Sequence, residues 1–237
     1  MLKNEARPVI TVGISPDYPP FAFVKGSRTM GLDIELIRTI LNNMDYNTKI
    51  EEMEFSALIP ALNSNKVDVI LSGLSETPER AEHVKFSNPY YTSSSFSVIV
   101  SKKSTISEIN ELPQNAKIGV QTGSVMEQFI NKFDEANKSS FEIMSDSSNA
   151  ILIEKVKSGE IDGMIVEDVS APGFTKDIDE LKYFDIKNGV AGLSERKYSI
   201  GFRKDSQLVD GVNEELENLK NSGDFKKLLK GWKLKYE

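Results

Sequence analysis

The chain of 237 residues contains no cysteine, which excludes disulfides, thiol catalysis and thiolate metal sites. That absence does not choose between a reducing and an oxidising compartment. A single histidine, His83, lies between Glu82 and Val84 in a predicted exposed turn and carries no special role. No stretch approaches the ~18 apolar residues of a membrane helix. The first residues, Met1 to Pro8, lack the apolar core of an export signal, so a cytoplasmic protein and a mature, processed form both remain open. Positive charge is also in deficit: a net charge of −7 argues against nucleic acid, whose phosphates call for a basic patch. The one local basic cluster, Lys226, Lys227, Lys230, Lys233 and Lys235, falls on a predicted C-terminal helix whose apolar side is Leu228, Leu229 and Trp232. It reads as a solvated helix face. Neither a Walker A loop nor a GxGxxG fingerprint, HExxH helix, EF-hand loop or nucleophile elbow is present, so no cofactor or metal is expected.

What is present is ordinary for a globular protein: 39% hydrophobic and 27% charged residues, in a length that suits one large domain or two modest lobes. Strand and helix patterns alternate. Val9–Ile14 predicts a strand, and Leu32, Leu36, Ile37, Ile40, Leu41 and Met44 mark one face of a helix. A strand at 46–51, a helix carrying Leu58, Ile59 and Leu62, and a strand at Val67–Leu71 follow. Near Tyr90–Ser95 the pattern changes to a serine-rich link feeding an isolated strand, Phe96–Val100. A second series comprises a strand at Lys117–Gln121, helices from Ser124 and around Ile151–Val156, and a strand at Ile161–Val166. A returning strand at Ser199–Phe202 and two amphipathic helices close the chain. The expected organisation is α/β with two lobes: residues 1–92 with 196–237, and 93–195, with crossings near 92–96 and 192–198.

The segment 67–80 carries the most chemistry. A buried strand emerges into Ser72, Gly73, Ser75 and Thr77, and Thr77-Pro78-Glu79 reads as a helix start with Thr77 as its cap. Arg80 sits one turn in. Hydroxyls, free helix-end amides and a guanidinium at the end of a strand suit a small carboxylate. Taken alone, such a motif is a capped helix with a surface arginine. Gly119-Val120-Gln121-Thr122-Gly123-Ser124 is a second strand running into a small-residue turn and a helix start, where Thr122, Ser124 and Val125 lie. Glu167 and Asp168 follow the strand 161–166, where an acid could complement an ammonium group or simply cap a helix. Tyr18 and Phe55 follow strands, as core residues or as clamps on a ligand side chain. As a catalytic pair, Glu167 and Asp168 are poorly placed, because adjacent strand residues point apart.

Taken together, Tyr18-Pro19-Pro20-Phe21, Gly31-Leu32-Asp33-Ile34-Glu35-Leu36, Phe55 to Leu62, Ser72 to Arg80 and Phe86-Ser87-Asn88-Pro89-Tyr90-Tyr91 resemble the periplasmic amino-acid-binding proteins of ABC transporters. The resemblance spans nearly the whole chain. It implies the type II periplasmic-binding fold, with a mostly parallel, helix-flanked sheet in each lobe and a ligand cleft between the lobes that closes on one L-amino acid. By its match, Arg80 binds the ligand carboxylate, helped by the regions of Ser75 and Ser124, and Ser72 and Ser75 lie near the α-amino group. Glu167 stands where the family usually has an aspartate paired with the ammonium, with Asp168 as the alternative. Tyr18 and Phe55 match aromatic walls around the side chain. Ser15 stands where lysine and arginine binders often carry aspartate, Val125 and Met126 where threonine and glutamine are common, and Glu76 where a small or apolar residue is usual. The first departure weakens the case for a cationic ligand, and Glu76 restores it if it faces the ligand.

The implied protein is a monomeric, non-enzymatic carrier, outside the cytoplasmic membrane or tethered to it, that delivers its ligand to a membrane permease. Two alternatives share the fold: a dehydratase-like enzyme and the sensing domain of a receptor. The first needs a well-placed general acid, for which the sequence offers only the Glu167–Asp168 pair.

Overall fold

A computed structural model describes residues 7–187 and 195–235. In chain order its elements are β1 Val9–Ile14, β2 Asp17–Tyr18, β3 Ala22–Lys25, β4 Arg28–Met30, α1 Leu32–Asn43, β5 Asn47–Glu52, α2 Leu58–Asn63, β6 Val69–Ile70, α3 Pro78–Ala81, β7 Lys85–Phe86 and β8 Tyr91–Ser93. There follow β9 Phe96–Ser101, β10 Lys117–Gln121, α4 Val125–Asn137, β11 Glu142–Asp146, α5 Asn149–Ser158, β12 Gly163–Glu167, α6 Ala171–Thr175 and β13 Leu181–Asp185. The chain returns through β14 Arg196–Tyr198 and β15 Gly201–Phe202 to α7 Leu208–Ser222 and α8 Asp224–Gly231. It forms two compact units, Met1–Tyr91 with Lys197–Glu237, and Thr92–Arg196. Part of the expected second crossing, 192–194, lies outside the described residues.

The first unit is built on a five-stranded sheet in the order β5-β1-β6-β15-β7. Four strands share one direction, and β15 runs against its neighbours. β1 and β6 are apolar because helices cover both faces. One helix is α1, whose buried Leu32, Leu36, Ile37, Ile40 and Leu41 recur at helical spacing. Against the other face, Leu58, Ala61 and Leu62 pack with Val67, Ile70, Leu74 and Val84. The region 17–30 forms a small antiparallel sheet, β2-β3-β4. It leads into Gly31, whose φ of +135° places the chain for α1. An added Cβ at Gly31 would lie 2.1 Å from the Phe21 carbonyl oxygen, so only glycine fits there.

The second unit repeats the plan, in the order β11-β10-β12-β9-β13. Again four strands share one direction and the fourth in order, β9, is reversed. The apolar run at Phe96, expected as an isolated strand, is therefore a central one. It pairs with β12 on one side and β13 on the other, and Phe96 to Val100 are all buried. Ile99, Leu152, Ile153, Val156, Ile161, Met164 and Leu181 form a core under the sheet. In both units the strand order reverses beside the first strand, between β1 and β6 and between β10 and β12. Ligand sites in open α/β sheets gather at the carboxyl ends of the strands at such a reversal.

Candidate functional site

In the first unit the carboxyl ends of β1 and β6 are tied directly. Ser72 Oγ accepts from Ser15 N–H (2.8 Å) and donates to the Ser15 carbonyl (3.1 Å), so this hydroxyl, expected near the α-amino group, is engaged by backbone. Ser15 Oγ donates to Asp17 (3.1 Å), bringing a carboxylate beside the position where Ser15 was read as a missing acid. Gly73 follows at φ +56°, and its N–H donates to the Asp33 carboxylate (2.7 Å). A Cβ at Gly73 would sit 3.3 Å from the Tyr18 ring, so Tyr18 covers this loop closely and is itself buried. Ser75 is buried and bridges to Tyr198.

The expected helix start is present but short. α3 has four residues, and Thr77 Oγ1 accepts from Arg80 N–H (3.2 Å). A single turn carries little macrodipole, so the anion-binding character expected of a helix end is weak here. Arg80 is only 9% exposed. One of its Nη groups donates to the Ser75 carbonyl (2.7 Å), and its guanidinium lies 5.2 Å from the centre of the half-buried Phe55 ring. These two contacts fix the orientation of its planar cation. Glu76 is exposed, its N–H donating to the Lys197 carbonyl.

Asp33, which sequence reasoning placed in a motif without a role, organises this loop. It is fully buried, accepting from Gly73 N–H at Oδ2 and from the Tyr90 hydroxyl at Oδ1 (2.8 Å). Burial pushes its carboxyl pKa up to about 6, against the opposing pull of those two donors.

In the second unit, Thr122 N–H donates to the Asp146 carbonyl, and Gly123, at φ +74°, donates its N–H to Glu127. Ser124 caps α4, its Oγ accepting from Glu127 N–H (3.2 Å). Val125 is half-buried, whereas Met126 turns into the core with Phe129, Ile130 and Phe133. Glu167, 2% exposed at the end of β12, is paired with Arg196, whose Nε donates to its Oε1 at 3.2 Å. Asp168 accepts from Ser93 Oγ (2.8 Å) and from Val169 N–H. Arg196 was not foreseen. The only signal for it is a charge at the head of the apolar strand run that ends at Phe202.

Among the described residues no group of histidine and acidic side chains could hold a metal, and no helix is long and apolar enough to cross a membrane.

Two α/β units, each with candidate ligand groups at its strand reversal, define a solute-binding architecture. The chain belongs to the bacterial extracellular solute-binding proteins, family 3, whose model matches residues 10–235. It is 37% identical over 226 residues to the arginine-binding extracellular protein ArtP of Bacillus subtilis, covering 94% of this chain and 85% of that protein. It is 30% identical over 234 residues to a probable histidine-binding protein of Campylobacter jejuni, covering 98% and 88%. Among solved structures, an ancestral arginine-binding protein bound to arginine superposes with a TM-score of 0.85 at 28% identity, covering 96% of this chain and 99% of that one. An ancestral amino-acid-binding protein described as a precursor of cyclohexadienyl dehydratase superposes with a TM-score of 0.82 at 27% identity, covering 95% and 96%.

Proposed function

We propose that this protein binds an L-amino acid with a cationic side chain, arginine foremost, and hands it to the membrane permease of an ABC importer. The observation that carries the reading is Arg80, a buried guanidinium held by Ser75 and Phe55 at the carboxyl end of β6. In this reading Arg80 grips the ligand carboxylate, with the backbone of Gly73 and Ser75 and the Thr77 hydroxyl around it. Glu167 meets the α-ammonium, and Thr122, Ser124 and Val125 border it. Tyr18, Phe55 and Ser15 line the side chain, and Asp17 supplies negative charge for a cationic end. The arginine- and histidine-binding relatives support the choice of ligand class. The protein acts as a monomer outside the cytoplasmic membrane, or tethered to its outer face, and binds without turnover.

The test is a thermal-shift panel of the twenty L-amino acids, with ornithine and citrulline, on protein unfolded and refolded to strip carried-over ligand. L-Arginine at about 100 times its dissociation constant stabilises the fold by about 2.7 kcal/mol. Strong shifts with neutral amino acids and none with arginine, lysine or histidine would overturn the ligand class.

A further inference from the structure

The acid expected to meet the ligand ammonium does not stand alone. Glu167 and Phe96 face each other across the β12–β9 pair, so their side chains share one face of the sheet. The Arg196 guanidinium lies over the Phe96 ring, 3.9 Å from its centre, and reaches Glu167 from there. Its Nη2 donates to the Ser95 carbonyl (2.6 Å) and to Ser93 Oγ (3.2 Å). Ser93 Oγ in turn donates to Asp168. Arg196 is 6% exposed. One arginine, near the end of the second unit, thus joins the entry segment Ser93–Ser95, the aromatic ring of Phe96 and the acid at the end of β12.

Glutamate has one more side-chain torsion than aspartate, and ordering it costs more entropy. A longer acid at this position meets a ligand sharply only if something else fixes it. Arg196 does this through Oε1, and its own guanidinium is fixed by the carbonyl, the hydroxyl and the ring.

Resting on the reading of this chain as an amino-acid-binding protein, we infer that Arg196 is the positioning residue that holds the Glu167 carboxylate for the ligand's α-ammonium, and so sets selectivity for α-amino acids over their des-amino analogues. Arg196 does not itself touch the ligand.

The experiment compares L-arginine with 5-guanidinopentanoate, which lacks only the α-amino group, by isothermal titration of the whole chain. The variants are Arg196→Lys, Arg196→Gln and Phe96→Leu. Phe96→Leu keeps the charges and the burial but removes the ring beneath the guanidinium. The expected ratio of the two affinities falls about tenfold or more in both Arg196 variants and about threefold in Phe96→Leu, while affinity for the analogue changes by less than about threefold. An unchanged ratio overturns the assignment. So does an equal loss for both ligands, the mark of a merely structural role. If the Arg196 variants do not fold, Phe96→Leu decides alone. Wild-type protein that binds both ligands equally also refutes the inference, and with it the Glu167–ammonium contact, while leaving the binding of a cationic ligand through Arg80 intact. Wild-type protein that binds neither arginine, lysine nor histidine overturns that reading instead.

Discussion

Replacing Asp33 by asparagine tests whether the carboxylate behind the Gly73 loop is held at a cost. Asparagine keeps the shape: its carbonyl can accept from Gly73 N–H and its amide can donate to the Tyr90 hydroxyl oxygen, so both partners stay satisfied. What it removes is titration. Burial raises the Asp33 pKa from 3.8 to about 6, so the folded state holds this proton more tightly than the unfolded chain does. The stability due to protonation is fully present below 3.8 and is lost as pH rises through about 6. A rise of about two pH units at about 1.4 kcal/mol each makes the span close to 3 kcal/mol. Urea unfolding of wild type and D33N, at constant ionic strength from about pH 4 to pH 7, isolates the term because other carboxylates titrate in both. Relative to D33N, wild type loses roughly 2 kcal/mol or a little more across that window, the remainder of the span lying below about pH 4. Parallel curves, or a wild type that gains on D33N as pH rises, would refute the claim that this carboxylate is ionised against its environment at neutral pH.

Thr77→Ala removes the acceptor for Arg80 N–H and costs about 1 kcal/mol of stability by urea titration, with weaker ligand binding because the turn carrying Arg80 loosens. Unchanged stability would show that the cap is idle. Gly31→Ala drives a Cβ into the Phe21 carbonyl at a φ of +135° and lowers stability by more than about 3 kcal/mol, read as a loss of soluble folded protein or a large fall in the urea midpoint. A variant as stable as wild type would contradict that geometry.

Helices with an apolar face were plain in the sequence: the residues from Leu32 to Leu41 recur at the spacing α1 requires, and Leu208 to Leu219 do the same for α7. Short or edge strands were not. β11, Glu-Ile-Met-Ser-Asp, lies at the border of its sheet and has no residue fully buried, so no alternation or apolar run marks it. β2, β3 and β4 are two to four residues long and straddle prolines and a glycine. The Phe96 run was legible as a strand, but its partners come from β12 and β13, far along the chain, and pairing at that distance leaves no local trace. The same holds for chemistry. Arg80 and its turn stand within one segment and could be read there. Arg196 is 29 residues from Glu167 and 101 from Ser95, and only the folded chain brings the three together. Asp33 was visible as part of a motif, but its partners Gly73 and Tyr90 lie 40 and 57 residues away.

The central claim is that a buried arginine after β6 grips the carboxylate of an amino acid. Its most direct test is isothermal titration of L-arginine into refolded wild type, Arg80→Ala and Arg80→Lys, with circular dichroism to establish that each is folded. The account predicts tight binding to wild type, a loss of about a hundredfold or more in Arg80→Ala, and only partial recovery in Arg80→Lys, whose ammonium cannot form two parallel hydrogen bonds. Equal affinity in wild type and Arg80→Ala would contradict it.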